Sequence, residues 1–302
     1  MEALKSFDIG ISDEVFTLFS ELIYKTSGIK LTSVKKGLLV SRLHKRLKKL
    51  DITEFYNYYR RVAKDNEELV EMLNCISTNT TTFFREEYHF EYLRNTVLPG
   101  LLKNNKEKTI RIWSAGCSTG EEAYSIAITV HEALRQCQGT DRQVTRSYPC
   151  AVTCSQPVVN QSGMEIIILA TDISTQALEI AQAGIYEEEQ IPDSLPPDLI
   201  KRYFLSGVAE NSGKIKVKDF IMHAIRFRRL NLKDMTYPFN NEFDIIFCRN
   251  VMIYFDGGMK GHVLSHFQRH LREKGHLFLG HAESMLGEEI FKPVFITVHQ
   301  KL

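Results

Sequence analysis

The sequence is poor in tryptophan, with one in 302 residues, and no run approaches the roughly 18–20 apolar residues of a membrane-spanning helix. The opening, MEALKSFDIGISDE, lacks the basic segment and apolar core of a signal peptide. Six cysteines at irregular positions do not make a disulfide scaffold in a chain of this size, which predicts a reducing, cytoplasmic location. Charge of one sign is also missing. A net of +1 argues against bulk electrostatic capture of nucleic acid. What is present, 43% hydrophobic and 25% charged residues, is the composition of an ordinary globular protein, long enough for two folding units.

Residues 12 to about 76 read as helix throughout. Ser12 is placed as an N-cap, followed by Asp13 and Glu14 in the first turn. Leu39, Leu43, Leu47 and Leu50 recur at the spacing of one buried helix face, and Phe55, Tyr56, Tyr59 and Val62 mark a third helix. A fourth near Glu67–Ile76 leads into the polar break STNTTT. We therefore expect an all-α unit over 1–76 and a second unit over 77–302.

The second unit alternates strand and helix patterns. Strands are predicted at Thr109–Ser114, Glu165–Thr171, Ile225–Arg229, Phe243–Cys248, Gly275–Leu279 and Phe295–Gln300. Helices are predicted at Gly120–Arg135, Ser174–Ala183 and Met259–Arg272. This alternation predicts an α/β fold with a mostly parallel sheet covered on both faces, and IIILA and DIIFC read as strands buried on both sides. Residues 136–163, polar and aperiodic, are expected to form a surface insertion. Cys150 and Cys154 within it lack the second ligand pair of a metal site, and no metal is expected. Residues 203–224 suggest a small antiparallel excursion around Gly207, Gly213 and KIKV.

The most informative stretch is IRIWSAGCSTGEEAYSIA, Ile110–Ala127. A β-branched run ends in a loop of small residues, where a bulky ligand can approach the backbone, and a helix then opens. A phosphate binder would place bare amides and a cation at that mouth, yet Glu121 and Glu122 stand there. Carboxylates repel a pyrophosphate and attract a cationic, hydroxyl-bearing ligand such as S-adenosylmethionine; the other reading is a dinucleotide site with unusual charges. Asp172, at the end of the second predicted strand, is placed to hold ribose hydroxyls or else to cap the next helix, a role that Ser174 can also take. Asn250 follows the FDIIFC strand and should face the ligand, with Tyr254 four residues on either near the reacting centre or packed in a turn. Asn231 and Leu232, after RFRR, offer a ring edge an amide and a ring face an apolar surface. NTTTFFR ends in Arg85, which is placed either to pair with a carboxylate or to belong to a helix cap with a hydrophobic staple. No persuasive His/Asp pair for acid–base chemistry is found.

From Lys30 to Lys49 there are eight lysines and arginines and no acid. Arg42, Arg46 and Lys49 fall on one helical face, either a solvated surface or an attractor for an acidic partner. No interleaved aromatics suggest nucleic acid.

The motifs NTTTFFR, IWSAGCSTGEEAYS, ATDIS, RRLNL, FCRNVMIYF and GHAES, in this order over nearly the whole chain, resemble the chemotaxis receptor methyltransferases, the CheR-type S-adenosylmethionine-dependent protein-glutamate O-methyltransferases. The resemblance implies a Rossmann-like class I methyltransferase domain with a small β-subdomain, S-adenosylmethionine as cofactor, S-adenosylhomocysteine as product, and the cytoplasmic helical bundle of methyl-accepting chemoreceptors as partner, with no membrane insertion. It assigns cofactor binding to Asn79, Thr81, Arg85, Ala115, Glu121, Asp172, Asn231, Leu232, Asn250 and Val251, with Arg85 and Tyr254 beside the transferred methyl group. The receptor would dock through the Arg42, Arg46 and Lys49 region. Three departures stand out: the long 136–163 insertion, Ala123 where many members have proline, and SGVA at 206–209 where members that bind a receptor tether peptide are richer in glycine.

Overall fold

A computed structural model describes residues 10–104, 109–137, 158–159, 165–240, 242–283 and 290–302. Cys150 and Cys154, and most of the 136–163 segment, lie outside the described residues.

Four helices open the chain: α1 (Asp13–Ser27), α2 (Lys36–Lys49), α3 (Phe55–Val62) and α4 (Asn66–Ile76). Ser12 caps α1 as expected, its hydroxyl accepting from the Val15 amide at 3.2 Å. Phe16, Phe19 and Ile23 of α1 meet Leu39, Leu43 and Leu47 of α2 in one core with Phe55, Tyr58, Val62 and Met72. Tyr58, rather than the exposed Tyr56, carries the inner face of α3, and its hydroxyl donates to Glu68 at 2.9 Å. That carboxylate, 3% exposed, also takes Nε and Nη2 of Arg46 at 2.8 Å each. Arg42 is tied in turn to the Ile76 carbonyl and to Thr78. Arg42 and Arg46 therefore do not form the free basic face expected of them, because both reach across to α4 and its C-terminal end; Lys45, Lys48 and Lys49 remain exposed.

Helices α5 (Tyr88–Tyr92) and α6 (Leu98–Asn104), joined by a π-helical turn, lead to the main sheet. Its strands are β1 (Thr109–Ala115), β2 (Val158–Val159), β3 (Glu165–Asp172), β7 (Ile225–Arg229), β8 (Phe243–Cys248), β9 (Leu271–Leu279), β10 (Phe291–Phe295) and β11 (Val298–Lys301). The order runs β7-β3-β1-β8-β9-β11-β10. The first five are parallel and β11 is antiparallel to β9. Of the expected insertion, residues 136–137 finish the helix that follows β1, and β2 pairs antiparallel with β3 on the edge that β7 also uses. Helices α7 (Glu121–Cys137), α8 (Thr175–Ala183) and α11 (Gly257–His270) complete the alternation, with the short α9 (Pro197–Tyr203) and α10 (Asp219–Met222) between. A smaller sheet, β4-β6-β5, joins Ile185–Glu187, Lys214–Val217 and Phe204–Ser206. It thus takes a third strand from before the expected 203–224 span.

Alternate residues of each central strand point to opposite layers. Ile110, Ile112, Ile245 and Phe247 join the α7 side, whereas Trp113, Ala115, Ile246 and Cys248 join the α11 side. The single tryptophan is fully buried, ringed by Tyr237, Phe239, Phe243 and Phe267 at centroid distances of 5.0–5.7 Å. β8 is buried at every position, as expected, but β3 alternates between buried and half-buried residues. The last predicted strand, Phe295–Gln300, is instead a hairpin, because Thr297 turns the chain at φ 50° without a glycine or asparagine to signal it. Helix α11 begins at Gly257, capped by Asp256, and stops at His270, so that β9 starts at Leu271.

The Arg46–Glu68–Tyr58 network gives a stability prediction. Burial alone would raise the Glu68 carboxyl, but the bonds from Arg46 and Tyr58 more than offset it and hold the group below its usual value. Glu68→Ala should lower unfolding free energy by about 3 kcal/mol at pH 7, because Arg46 loses its buried partner and keeps only the more exposed Glu71, at 3.2 Å. Urea titrations should show the difference from the parent fully present above pH 4.5, the carboxyl's ordinary value, and shrinking as pH falls through the lowered folded value.

Candidate functional site

The sheet order reverses between β3-β1 and β8-β9, and an open cavity of about 960 Å³ lies outside the carboxyl ends of β1, β3 and β8. Its far wall comes from the helical unit, through Ser27, Ile29 and Ser77. Three contacts fix the two walls together. Asn231 Nδ2 donates to the Thr26 carbonyl at 2.6 Å, the Lys30 amide to the Tyr254 carbonyl at 3.0 Å, and the Tyr24 hydroxyl to Asp256 at 2.9 Å.

The β1 loop forms the floor. Gly116 adopts φ 95°, and a Cβ there would stand 2.4 Å from Val251 Cγ2, so this position requires glycine. Ser118 also takes a left-handed conformation, at φ 51°; its amide donates to Asp172 Oδ2 at 2.8 Å and its hydroxyl to the Asn79 carbonyl at 3.0 Å. Asp172 Oδ1 accepts from the Ser174 amide at 2.9 Å. Burial pushes the Asp172 carboxyl up, and the amides oppose the shift. Ser174 meanwhile caps α8 through the Ala177 amide, so Asp172 remains available to the cavity that it lines.

Of the positions expected to bind a cofactor, Asn79, Thr81, Arg85, Asp172, Asn231, Leu232, Asn250 and Val251 line this cavity, with Tyr254 beside them. Two do not. Ala115 is fully buried in the core around Trp113, and the following residue, Gly116, takes the lining position. Glu121 is fully buried and turned away, bonded to Thr119 at 2.6 Å and Gln190 at 3.2 Å, where it fastens the loop to the segment leading out of the small sheet. Glu122 is the carboxylate that faces the cavity. The expected face of Asn231 is also changed, since both ends of its amide are engaged, by Thr26 and by the Lys233 amide at 3.1 Å.

Arg249 was not anticipated. It follows the wholly buried β8, its side chain is 2% exposed, and it lines the cavity. Nη1 lies 3.3 Å from Glu122 and Nη2 3.3 Å from Glu86, with Nη2 also donating to the Arg85 carbonyl. The guanidinium sits 5.4 Å from the Phe90 ring centroid. Its Nε is buried with no hydrogen-bond partner among the described residues, a donor that a ligand carboxylate would satisfy. Burial pushes Glu122 up despite Arg249; burial would also raise Glu86, but there Arg249 and the His281 amide prevail and hold it low. The signal available in the sequence was the cation directly after an apolar strand. For Glu122, α7 is buried on nearly every face, so its periodicity does not say which of two adjacent glutamates points inward.

Arg85 and Tyr254 mark the mouth. Arg85 is exposed and donates to the Thr80 carbonyl at 3.2 Å; Tyr254 is half-buried, with Lys35 Nζ 5.5 Å from its ring centroid. The FFR segment is not a helix cap. Phe83 is buried edge-on against Tyr186 and Phe204 of the small sheet, at 5.0 and 5.3 Å, which anchors the cavity's polar edge. Burial raises the Cys117 and Cys248 thiols, so neither is a thiolate nucleophile at neutral pH. Among the described residues no helix is long and apolar enough to cross a membrane, and no cluster of three or more His, Cys, Asp or Glu could hold a metal.

The glycine approach, the excess of carboxylates and the buried unpaired donor suit S-adenosylmethionine, which has a sulfonium, an ammonium, ribose hydroxyls and a carboxylate. Comparison with known proteins agrees. Residues 14–77 match the family model described as CheR methyltransferase, all-alpha domain, and residues 79–146 and 145–299 match CheR methyltransferase, SAM binding domain. The chain is 34% identical over 301 residues to the chemotaxis protein methyltransferase of Borreliella burgdorferi, covering 98% of this chain and 97% of that one. It is likewise 34% identical over 279 residues to the chemotaxis protein methyltransferase of Escherichia coli, covering 91% and 86%. On the strength of its sheet order, its cavity and these matches along nearly its whole length, the chain belongs to the CheR methyltransferase family.

Proposed function

We propose that the protein transfers the methyl group of S-adenosylmethionine to glutamate carboxylates on the cytoplasmic helical bundle of chemoreceptors, forming glutamate methyl esters. The observation that carries this reading is a cavity with carboxylates inside and an exposed arginine at its mouth. When bound, S-adenosylmethionine supplies an electrophilic methyl group carried on a sulfonium.

The chain's residues divide the remaining work. Asp172 offers its carboxylate to ribose hydroxyls, Glu122 and Glu86 set a negative potential around the cationic groups, and Arg249 meets a ligand carboxylate. Leu232 and Val251 supply apolar surface. Asn79, Thr81 and Asn250 complete the polar edge. At the mouth, Arg85 orients the incoming glutamate, and Tyr254 shields the reacting atoms from water. A free glutamate, with a pKa of about 4.3, is already ionised at neutral pH, so no general base is needed. What the site must supply is alignment, which can lower a barrier by about 7–11 kcal/mol.

We assign residues 1–76 to receptor docking and 77–302 to catalysis, with the small sheet as an appendage of the latter. The docking face is Lys49 with Lys45 and Lys48, since Arg42 and Arg46 are held within the fold.

Tritiated methyl groups from S-adenosylmethionine should be incorporated into chemoreceptor-containing membranes and released by an alkaline wash. Base-stable label would show another acceptor chemistry, and no label would remove the receptor reading. Replacing Lys45, Lys48 and Lys49 together with glutamate should raise KM for receptor membranes by tenfold or more while leaving S-adenosylmethionine affinity unchanged; an equal fall in both would sink the docking assignment. Calorimetry on the two adjacent glutamates tests the site. Glu122→Gln should weaken S-adenosylmethionine binding about tenfold, the loss of one charged contact of about 1.4 kcal/mol. Glu121→Gln should leave binding within about twofold.

A further inference from the structure

The GHAES segment, Gly280–Ser284, ends β9, and among its described residues none lines the cavity. Its glutamate nevertheless makes a concentrated set of bonds. Glu283 is 6% exposed, and its carboxylate accepts three backbone amides: Oε2 takes Gly280 at 2.6 Å and Asn250 at 2.9 Å, and Oε1 takes Met252 at 2.7 Å. Two of the three belong to the turn after β8, whose Asn250 and Val251 line the cavity. That turn has one distinctive conformation. Asn250 holds φ 59°, a left-handed conformation open to asparagine but not imposed by it, so that contacts around the turn decide whether it is kept. Gly280 closes the other side, since a Cβ there would lie 2.6 Å from Asn250 Nδ2 and 2.7 Å from Asn250 N.

We propose that Glu283 is a positioning residue for the cofactor: its carboxylate holds the Asn250–Met252 turn in the left-handed conformation before S-adenosylmethionine arrives. Without it, three backbone amides lose their acceptor, two of them in this turn, and the turn is free to change conformation, withdrawing Asn250 and Val251 from the cavity. Glutamine is no substitute. If its carbonyl takes the Oε2 position, its amide group faces the Met252 N–H, donor against donor.

The inference rests on the reading of this cavity as the S-adenosylmethionine site, so Asn250→Ala is measured beside Glu283→Gln. By calorimetry on the full chain, Glu283→Gln should weaken S-adenosylmethionine binding at least tenfold and raise its KM by a similar factor, with KM for receptor membranes unchanged. Asn250→Ala should also weaken binding. If Asn250→Ala leaves affinity unchanged, the site reading and this inference fall together. If Asn250→Ala weakens binding and Glu283→Gln stays within twofold, whatever its melting temperature, Glu283 is only structural and the inference alone fails. A measurement on the parent decides the case where Glu283→Gln does not fold. Hydrogen exchange should show the Asn250 and Met252 amides protected without ligand, and protection that appears only after S-adenosylmethionine is added would overturn the proposal.

Discussion

The site depends on one buried cation. Arg249, at the carboxyl end of β8, is bracketed by Glu86 from the segment after NTTTFFR and Glu122 from the first turn of α7, and it also donates to the Arg85 carbonyl. Three chain segments far apart in sequence therefore share a single guanidinium. In a low-dielectric interior such an arrangement is unforgiving of the loss of Arg249, which would leave two carboxylates facing each other without their shared cation. Glu86 extends the clamp by accepting from the His281 amide at 3.2 Å. The charges do not balance: Glu122 and Asp172 line the cavity and Glu86 also pairs with Arg249, three carboxylates against one buried cation. That excess is what makes the cavity selective for a cationic ligand and hostile to a pyrophosphate, the discrimination suggested by the GEE sequence after the β1 loop.

A second constraint is the shared wall. Because Asn231 is fastened to the carbonyl of Thr26 and Tyr254 to the amide of Lys30, the helical unit is part of the cavity and not a tethered neighbour. The consequence is geometric. Lys35, the residue before α2, stands 5.5 Å from the centroid of the Tyr254 ring, which brings the start of that helix to the mouth. On the docking proposed above, a partner that also meets the start of α2 is brought toward Arg85 and Tyr254, so that docking would contribute to the alignment the proposed reaction requires.

How much of this was legible depends on whether the signal is local. Strand β8 announces itself as an unbroken apolar run, and the β1 loop as a cluster of small residues, since both requirements act on the residues concerned. Asp172 could be placed because strand ends and ligands coincide in open α/β sheets. Arg46 could not. Its helical phase is that of an exposed face, and only the position of Glu68, 22 residues on, turns it inward. The same limit explains Glu121 and Glu122, adjacent residues on a helix buried nearly all round, whose roles are decided by Gln190 and Arg249. The hairpin at 291–301 was misread because Thr297 supplies the turn with an ordinary residue in a left-handed conformation.

The charge distribution also says where the chemistry must occur. An acceptor glutamate of the kind proposed, entering the depth of the cavity, would meet Glu122 and Asp172, with Arg249 already paired to Glu122 and Glu86. Like charges at such spacing raise the acceptor's pKa and remove the ionised form that reacts. At the mouth the balance is reversed, for Arg85 is exposed and Lys35 stands beside Tyr254. A carboxylate there stays ionised and partly solvated, close to the reactive group yet outside the negative interior. Methyl transfer of the proposed kind, between a cation held inside and an anion held at the rim, then removes both charges, a change that any loss of solvent around the pair favours.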